Sequence, residues 1–313
     1  MSQSVKVVFG GYTLPSIPET DIEEVLAALK THGVHDIDTA RIYPGSEEWI
    51  GKFKLPNEFV IDTKAVGFSK GCLSKESIFK SIDESFHLLG VASVNIFYLH
   101  SPDTETPLEE TVDAIDALYK QGKFKKFGVS NFTPEDVKKI HAYCVSKNYV
   151  KPTVYQGNYN AVARTIETTL FPVLRELGMS LYAYSPIAGG FLAKTPEEVK
   201  EGAGRFDQST FIGQMYSSLY NRPSIMEALE QWGKIASKAG ISNADLAYRW
   251  ITHHSALKKE LGDAVIIGGR SKKTIIQTLD GIHDGPLDTE SVAEIEKIWE
   301  LVKDEAPLNN YTS

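Results

Sequence analysis

Between residues 38 and 100 the chain carries Asp38, Tyr43, Lys64 and His100: one carboxylate, one phenol, one amine and one imidazole. Asp38 and Tyr43 stand in VHDIDTARIY, Lys64 ends FVIDTK, and His100 ends VNIFYLH. That set suits hydride addition to a carbonyl, where the oxygen needs a proton as negative charge develops on it. A tyrosine hydroxyl, with an ordinary pKa of about 10, is a poor acid near neutrality unless its anion is stabilised. A lysine ammonium in a water-poor pocket supplies that stabilisation, and a buried aspartate keeps the lysine charged and oriented. A histidine beside the carbonyl oxygen can donate a hydrogen bond and fix the substrate's angle. Each residue also has an ordinary reading by itself. Asp38 could cap a helix, Lys64 could point into water, His100 could be a satisfied core histidine, and Tyr43 could be a loop aromatic. Their convergence is harder to explain as packing.

Convergence requires a scaffold, and the chain's periodicity supplies one. Eight short β-rich runs recur: Val5 to Phe9, Val34 to Asp38, Phe59 to Lys64, Val94 to His100, Phe124 to Asn131, Thr153 to Asn158, Ser180 to Ser185 and Ala264 to Gly269. Helical patterns fall between them. A capping-box pattern at Thr20 to Glu23 precedes EEVLAALKTHG. Ser74 opens SIFKSIDESFHLLG, Pro107 opens LEETVDAIDALYKQG, and Thr133-Pro134 opens PEDVKKIHAYCVSKN. Thr165 to Leu177 reads as one helix closed by Gly178, and Arg222-Pro223-Ser224 precedes IMEALEQWGKIASKAG. Strand and helix alternating eight times predicts a (β/α)8 barrel. The alternative, an open doubly wound sheet, is disfavoured because GGYTLPS follows the first strand in place of a GxGxxG turn. Ile187 to Asn221 has no clear strand and predicts a long lid-like loop after the seventh, while Thr289 to Lys303 predicts an extra C-terminal helix. Residues 1–313 read as one domain without an internal linker. In such a barrel the strand C-termini carry the chemistry, and here they carry Asp38, Lys64, His100, Ser130-Asn131, Gln156 and Ser185.

Over nearly its whole length the chain resembles the aldo-keto reductases, most closely the aflatoxin-aldehyde reductase branch and its fungal relatives. The resemblance rests on DTARIY, FVIDTKA, VNIFYLHSPD, GKFKKFGVSNF, PTVYQGNYNA, LYAYSPIAGG, GRF and AVIIGGRS, in the family's order and spacing. It implies carbonyl reduction with NADPH, with Tyr43 as general acid, Lys64 and Asp38 tuning it, and His100 orienting the carbonyl. It also implies a cofactor site. Asp38, Ser130, Asn131 and Gln156 would meet the nicotinamide side, and Tyr184 would stack on its ring. Ser185, Pro186, Ile187, Ala188, Gly189, Gly190 and Leu192 would approach the pyrophosphate. Gly269, Arg270 and Ser271, opening a helix, would take the 2′-phosphate. Gln277 and Thr278 would lie near the adenine, and Arg205 would add a second clamp. Thr278 stands where the family usually has Asn, and GGRS departs from its usual phosphate-site pattern. Substrate would meet Tyr12, Tyr43, His100 and the tail from Asn309 to Tyr311, with an aldehyde or ketone left open as to kind.

Composition agrees with this class. The 313 residues are 42% hydrophobic and 24% charged, with a net charge of −8 that gives no electrostatic case for general nucleic-acid binding. Cys72 and Cys144 form neither a disulfide framework nor metal-ligand spacing, so no metal is expected. No signal-peptide pattern or membrane-length apolar run is present, and a cytoplasmic protein, monomer or homodimer, is expected. The competing reading is a weakly active or non-enzymatic NADP(H)-binding regulatory subunit, because the potassium-channel β-subunits resemble this fold and retain the same four residues.

Overall fold

A computed structural model describes residues 4–309. Its eight parallel strands close into a barrel in sequence order. They are β1 (Lys6–Gly10), β2 (Asp36–Asp38), β3 (Val60–Lys64), β4 (Val94–Leu99), β5 (Phe124–Ser130), β6 (Pro152–Asn158), β7 (Ser180–Tyr184) and β8 (Ala264–Ile267). Closure is made by β1 against β8, with Lys6 opposite Ala264 and Phe9 opposite Ile267. All eight expected strands are present, with ends shifted by one or two residues.

The alternation of side chains along the strands produces two packed layers. Val8, Ile96, Tyr98, Val154, Tyr182, Ala264 and Ile266 fill the barrel interior, while a second, larger core lies between strands and helices. Gly128 on β5 makes room for the interior: a Cβ there would lie 2.3 Å from the Tyr98 ring. Charged side chains also enter this space, and they become the functional question below.

Local chemistry explains most helix boundaries. Ser74 and Thr133 accept hydrogen bonds from Ser77 N–H and Asp136 N–H, as N-caps should. The first helix, Ile22–Thr31, differs from expectation. A 3₁₀ turn at Glu19–Asp21 precedes it, and its N-cap Asp21 makes no side-chain capping bond. The stretch read as one helix from Thr165 to Leu177 is two, Ile166–Thr169 and Phe171–Glu176. Pro172 has no N–H to donate to the preceding turn, so the ladder breaks around Leu170. Outside the excursion after β7, two helices went unread, Ser46–Lys52 and Asn243–His253. The second has a capping box, Ser242 with Asp245, that the sequence displayed.

The excursion after β7 is not a bare loop. It carries the helices Pro196–Lys200 and Phe211–Tyr220, each begun by a threonine cap (Thr195 and Thr210). The expected C-terminal helix spans Thr289–Val302. Among the described residues no helix is long and apolar enough to cross a membrane. Asn310 and Tyr311 of the expected substrate tail lie outside the described residues.

One buried carboxylate stitches β7 to the segment entering β8. Asp263 accepts from Arg175 Nη1 at 2.9 Å, from Leu181 N–H at 2.8 Å and from Lys258 N–H at 2.7 Å. Asp263→Ala would leave two backbone donors and a guanidinium without their acceptor. We expect it to lower unfolding free energy by roughly 3–5 kcal/mol in chemical denaturation. A loss below about 1 kcal/mol would show that water replaces the carboxylate at no cost.

Candidate active site

The four residues singled out first are brought together at the C-terminal mouth of β2, β3 and β4. Lys64, the last residue of β3, is completely buried. Its ammonium donates to Asp38 Oδ1 at 2.7 Å, Asp38 Oδ2 at 2.6 Å and the Thr39 carbonyl at 2.7 Å, which occupies all three of its protons. It also lies 5.2 Å from the centre of the Tyr43 ring. Lys64 therefore acts on Tyr43 through its field. The Tyr43 ring in turn meets Tyr12 edge-on at 5.1 Å and His100 at 5.7 Å.

The electrostatics of these groups follow from burial. Burial first, then the Asp38 charge, pushes the Tyr43 hydroxyl well above its ordinary range, and Arg205 opposes this. Tyr43 is thus a protonated phenol. His100, 5% exposed, is driven well below the ordinary imidazole range by burial and by the Lys64 charge. It is a neutral ring, and its Nδ1 has no hydrogen-bond partner among the described residues. A neutral imidazole can still donate one hydrogen bond to an oxygen.

The next strand ends form a connected polar wall. Asn131, in the left-handed region at φ 67°, donates to the His100 carbonyl at 2.9 Å and to Ser130 Oγ at 3.0 Å. Its own carbonyl accepts from the Tyr184 hydroxyl at 2.8 Å. Gln156 of β6, buried, donates from its amide nitrogen to Asp38 Oδ1 at 2.8 Å. After β7 the chain takes positive φ at Ser185, Ala188, Gly189 and Gly190. A Cβ on Gly189 would lie 1.9 Å from the Tyr216 ring, so only glycine lets this turn sit against that ring. Pro186 and Leu192 are buried beneath it, and Ile187 is half-buried.

The remaining expected positions lie around the rim. Gly269 is tied to β1's exit by the Thr13 hydroxyl, which donates to its carbonyl at 2.7 Å. Ser271 caps the Lys272–His283 helix through Thr274 N–H, and Arg270 and Gln277 are exposed. Thr278 is buried. Lys272, at the start of that helix, is held by Glu24 at 3.0 Å and Asp21 at 3.3 Å. Arg205 reaches across from the excursion. It donates to the Tyr216 hydroxyl at 3.0 Å and stacks over Tyr12 at 5.4 Å and Tyr216 at 5.5 Å.

Two residues of this mouth went unread in the sequence. Phe68, 46% exposed, packs edge-on against His100 at 5.0 Å. It does so with φ at 62°, a strained conformation for a bulky residue, and its N–H donates to Ser101 Oγ at 2.7 Å. Tyr216 is the other. An aromatic one residue past Gly67, in the loop after Lys64, was the only available signal for Phe68; the seventh-strand excursion gave none for Tyr216.

A model of the aldo/keto reductase family matches residues 6–300. An oxidoreductase from Leptosphaeria maculans, sirO, is 42% identical over 91% of this chain and 87% of its own length. Human aldo-keto reductase family 7 member A3 is 37% identical over 90% of each chain. Human aflatoxin B1 aldehyde reductase member 2 is 36% identical over 90% of this chain and 82% of its own. With a closed eight-stranded barrel and a family match spanning nearly all of it, the chain belongs to the aldo/keto reductase family.

Proposed function

We propose that the protein reduces a small aldehyde or ketone to the alcohol, using NADPH. The observation that carries this reading is the buried Asp38–Lys64 pair set beneath a protonated Tyr43 and beside a neutral His100. NADPH, when bound, supplies the hydride. His100 donates a hydrogen bond to the carbonyl oxygen and fixes its angle. Tyr43 passes its hydroxyl proton to that oxygen as the alkoxide forms, and the Lys64 charge stabilises the phenolate left behind. Asp38 holds Lys64 charged and in place.

The donor set fits a dinucleotide. Ser130, Asn131 and Gln156 offer polar groups to a nicotinamide amide, and Tyr184, pinned by Asn131, offers a ring to its face. The positive-φ positions at Ser185 and from Ala188 to Gly190 suit close backbone approach to phosphate, and Arg270 and Arg205 offer guanidinium forks. Gly269, Ser271, Gln277 and Thr278 complete the rim. Arg270, exposed beside the Ser271 helix start, favours NADPH over NADH.

The mouth is lined by Tyr12, Tyr43, Phe68, His100 and Tyr216, so aromatic aldehydes are the favoured substrates. The test is a panel of aromatic aldehydes, dicarbonyls and ketones, followed by NADPH or NADH absorbance. We expect carbonyl-dependent NADPH oxidation, fastest with aromatic aldehydes and slower with NADH. Cofactor binding with no turnover of any carbonyl would favour the regulatory-subunit alternative.

A further inference from the structure

Among the described residues, three carboxylates of the barrel interior are matched by two paired cations. Asp36, Asp38 and Asp62 all point inward, and Asp38 stands in register with Asp62 across β2 and β3. Lys6 pairs with Asp36 at 2.6 Å, and Lys64 pairs with Asp38 at 2.6 Å. Asp62 has neither. It is fully buried, and among the described residues no Lys or Arg reaches ion-pair distance of it. Its Oδ1 accepts from Asn95 Nδ2 at 2.8 Å and Ile96 N–H at 3.0 Å, while its Oδ2 has no hydrogen-bond partner among the described residues.

An ionised carboxylate with one oxygen unsolvated and no counter-cation is costly, and the cheaper state keeps the proton. The groups around it reinforce this. Asp36 and Asp38 face it from β2, Tyr98 from β4 and Tyr182 from β7. Lys64 is two residues along β3 but has its three protons committed elsewhere. Lys126 of β5, in register with Ile96, is exposed. The interior positions of β6 and β8, Val154, Gln156, Ala264 and Ile266, carry no charge. Burial, followed at a distance by the two neighbouring aspartates, raises the Asp62 carboxyl to about 7, against the pull of Asn95 and Ile96.

We propose that Asp62 is a positioning residue that holds a proton beneath the Asp38–Lys64 pair while the carbonyl is reduced, and that its ionisation weakens Tyr43 as an acid. This rests on the reading of the site as a carbonyl reductase. With Asp62 neutral, the interior carboxylates and lysines balance. When Asp62 releases its proton to solvent, one uncompensated negative charge appears under a centre that must itself become negative. The phenolate of Tyr43 is then harder to form. Neither His100 nor Tyr43 titrates near neutrality, and Glu47, whose carboxyl burial also raises, bonds to the Thr63 hydroxyl on the opposite face of β3, so loss of the limb in Asp62→Asn is what assigns it.

The test pairs a pH profile with a readout that needs no turnover. The rate of 4-nitrobenzaldehyde reduction at saturating NADPH should fall roughly three- to tenfold as pH rises through neutrality. Asp62→Asn, which is shaped like the neutral acid, should remove that limb and keep the rate at low pH. By difference infrared spectroscopy on the protein alone, the parent should show a protonated carboxyl band that disappears through neutrality. Asp62→Asn should lack it throughout. Asn95→Leu, which removes a donor to the ionised form, should move both midpoints to higher pH together, and it serves where Asp62→Asn does not fold. A pH limb unchanged in Asp62→Asn, midpoints unmoved in Asn95→Leu, or no Asp62-dependent band in acid would overturn the proposal. A parent with no turnover would overturn the reductase reading; the infrared titration decides the proton on Asp62 either way.

Discussion

Tyr43→Phe is expected to lower kcat for aldehyde reduction by about 10²-fold or more, with KM and NADPH binding little changed. The reasoning is that the substitution removes one oxygen and little else. The Tyr43 ring packs edge-on against Tyr12 and His100, contacts that a phenylalanine ring retains. The lost group is the proton donor to an alkoxide far more basic than a phenolate. Its ordinary acidity is further weakened by burial and by Asp38, so the free protein keeps it protonated across the neutral range. Tyr43 is therefore matched to a strongly basic acceptor and only ionises when that acceptor forms. If the Phe variant reduced aldehydes at the parental rate, the proton would come from elsewhere, with solvent or His100 as the remaining sources. A drop confined to KM would instead assign Tyr43 to substrate binding alone.

The legible and illegible parts of this protein divide on physical grounds. Strand alternation was most readable where a strand is buried on both faces and shows as an apolar run, as in VNIFYL of β4 and AVII of β8. The convergence of Asp38, Lys64 and His100 was readable because each ends one of these runs, and strand ends in a parallel barrel share one rim. Side-chain orientation within that rim was not. Gln156 occupies the expected strand end, yet its amide nitrogen faces Asp38, a choice made by a neighbouring strand and invisible along the chain. Phe68 escaped for a related reason. Its ring reaches His100 only because the backbone adopts a positive φ that nothing about a phenylalanine announces. The helices of the excursion, by contrast, were missed despite visible threonine caps, because short amphipathic turns between glycines resemble plain loop.

Asp62 shows the same limit from the other side. FVIDTK displays Asp62 beside Lys64, and spacing two along a strand places both on one face. Charge accounting inside the barrel needs the partners of every other interior ion. Those partners, Lys6 with Asp36 and Lys64 with Asp38, come from β1, β2 and β3 and are fixed only by the closed sheet.

Lys64→Met should be the most damaging single change in the barrel, costing roughly 3–5 kcal/mol of stability and at least 10²-fold in kcat. Both effects come from the same ammonium. Removing it strands the Asp38 carboxylate, 2% exposed, with only Gln156 Nε2 left as a donor among the described residues. Asp38 would then be more easily protonated in the folded variant than in the unfolded chain. A carboxyl so raised leaves stability intact below its unfolded value of about 4 and erodes it as pH climbs towards the folded value. The deficit of Lys64→Met against the parent should therefore be small in acid and grow towards neutrality, measured as unfolding free energy in urea. Adding Asp38→Asn removes the stranded charge. The double variant should regain most of the stability, short by about 1 kcal/mol for the Thr39 carbonyl that loses its donor. It should regain none of the activity, because the Tyr43 phenolate still lacks its cation. A double variant as unstable as the single one would mean that lost packing, not an unpaired carboxylate, explains the damage. Recovery of turnover in the double variant would remove Lys64 from the chemistry altogether.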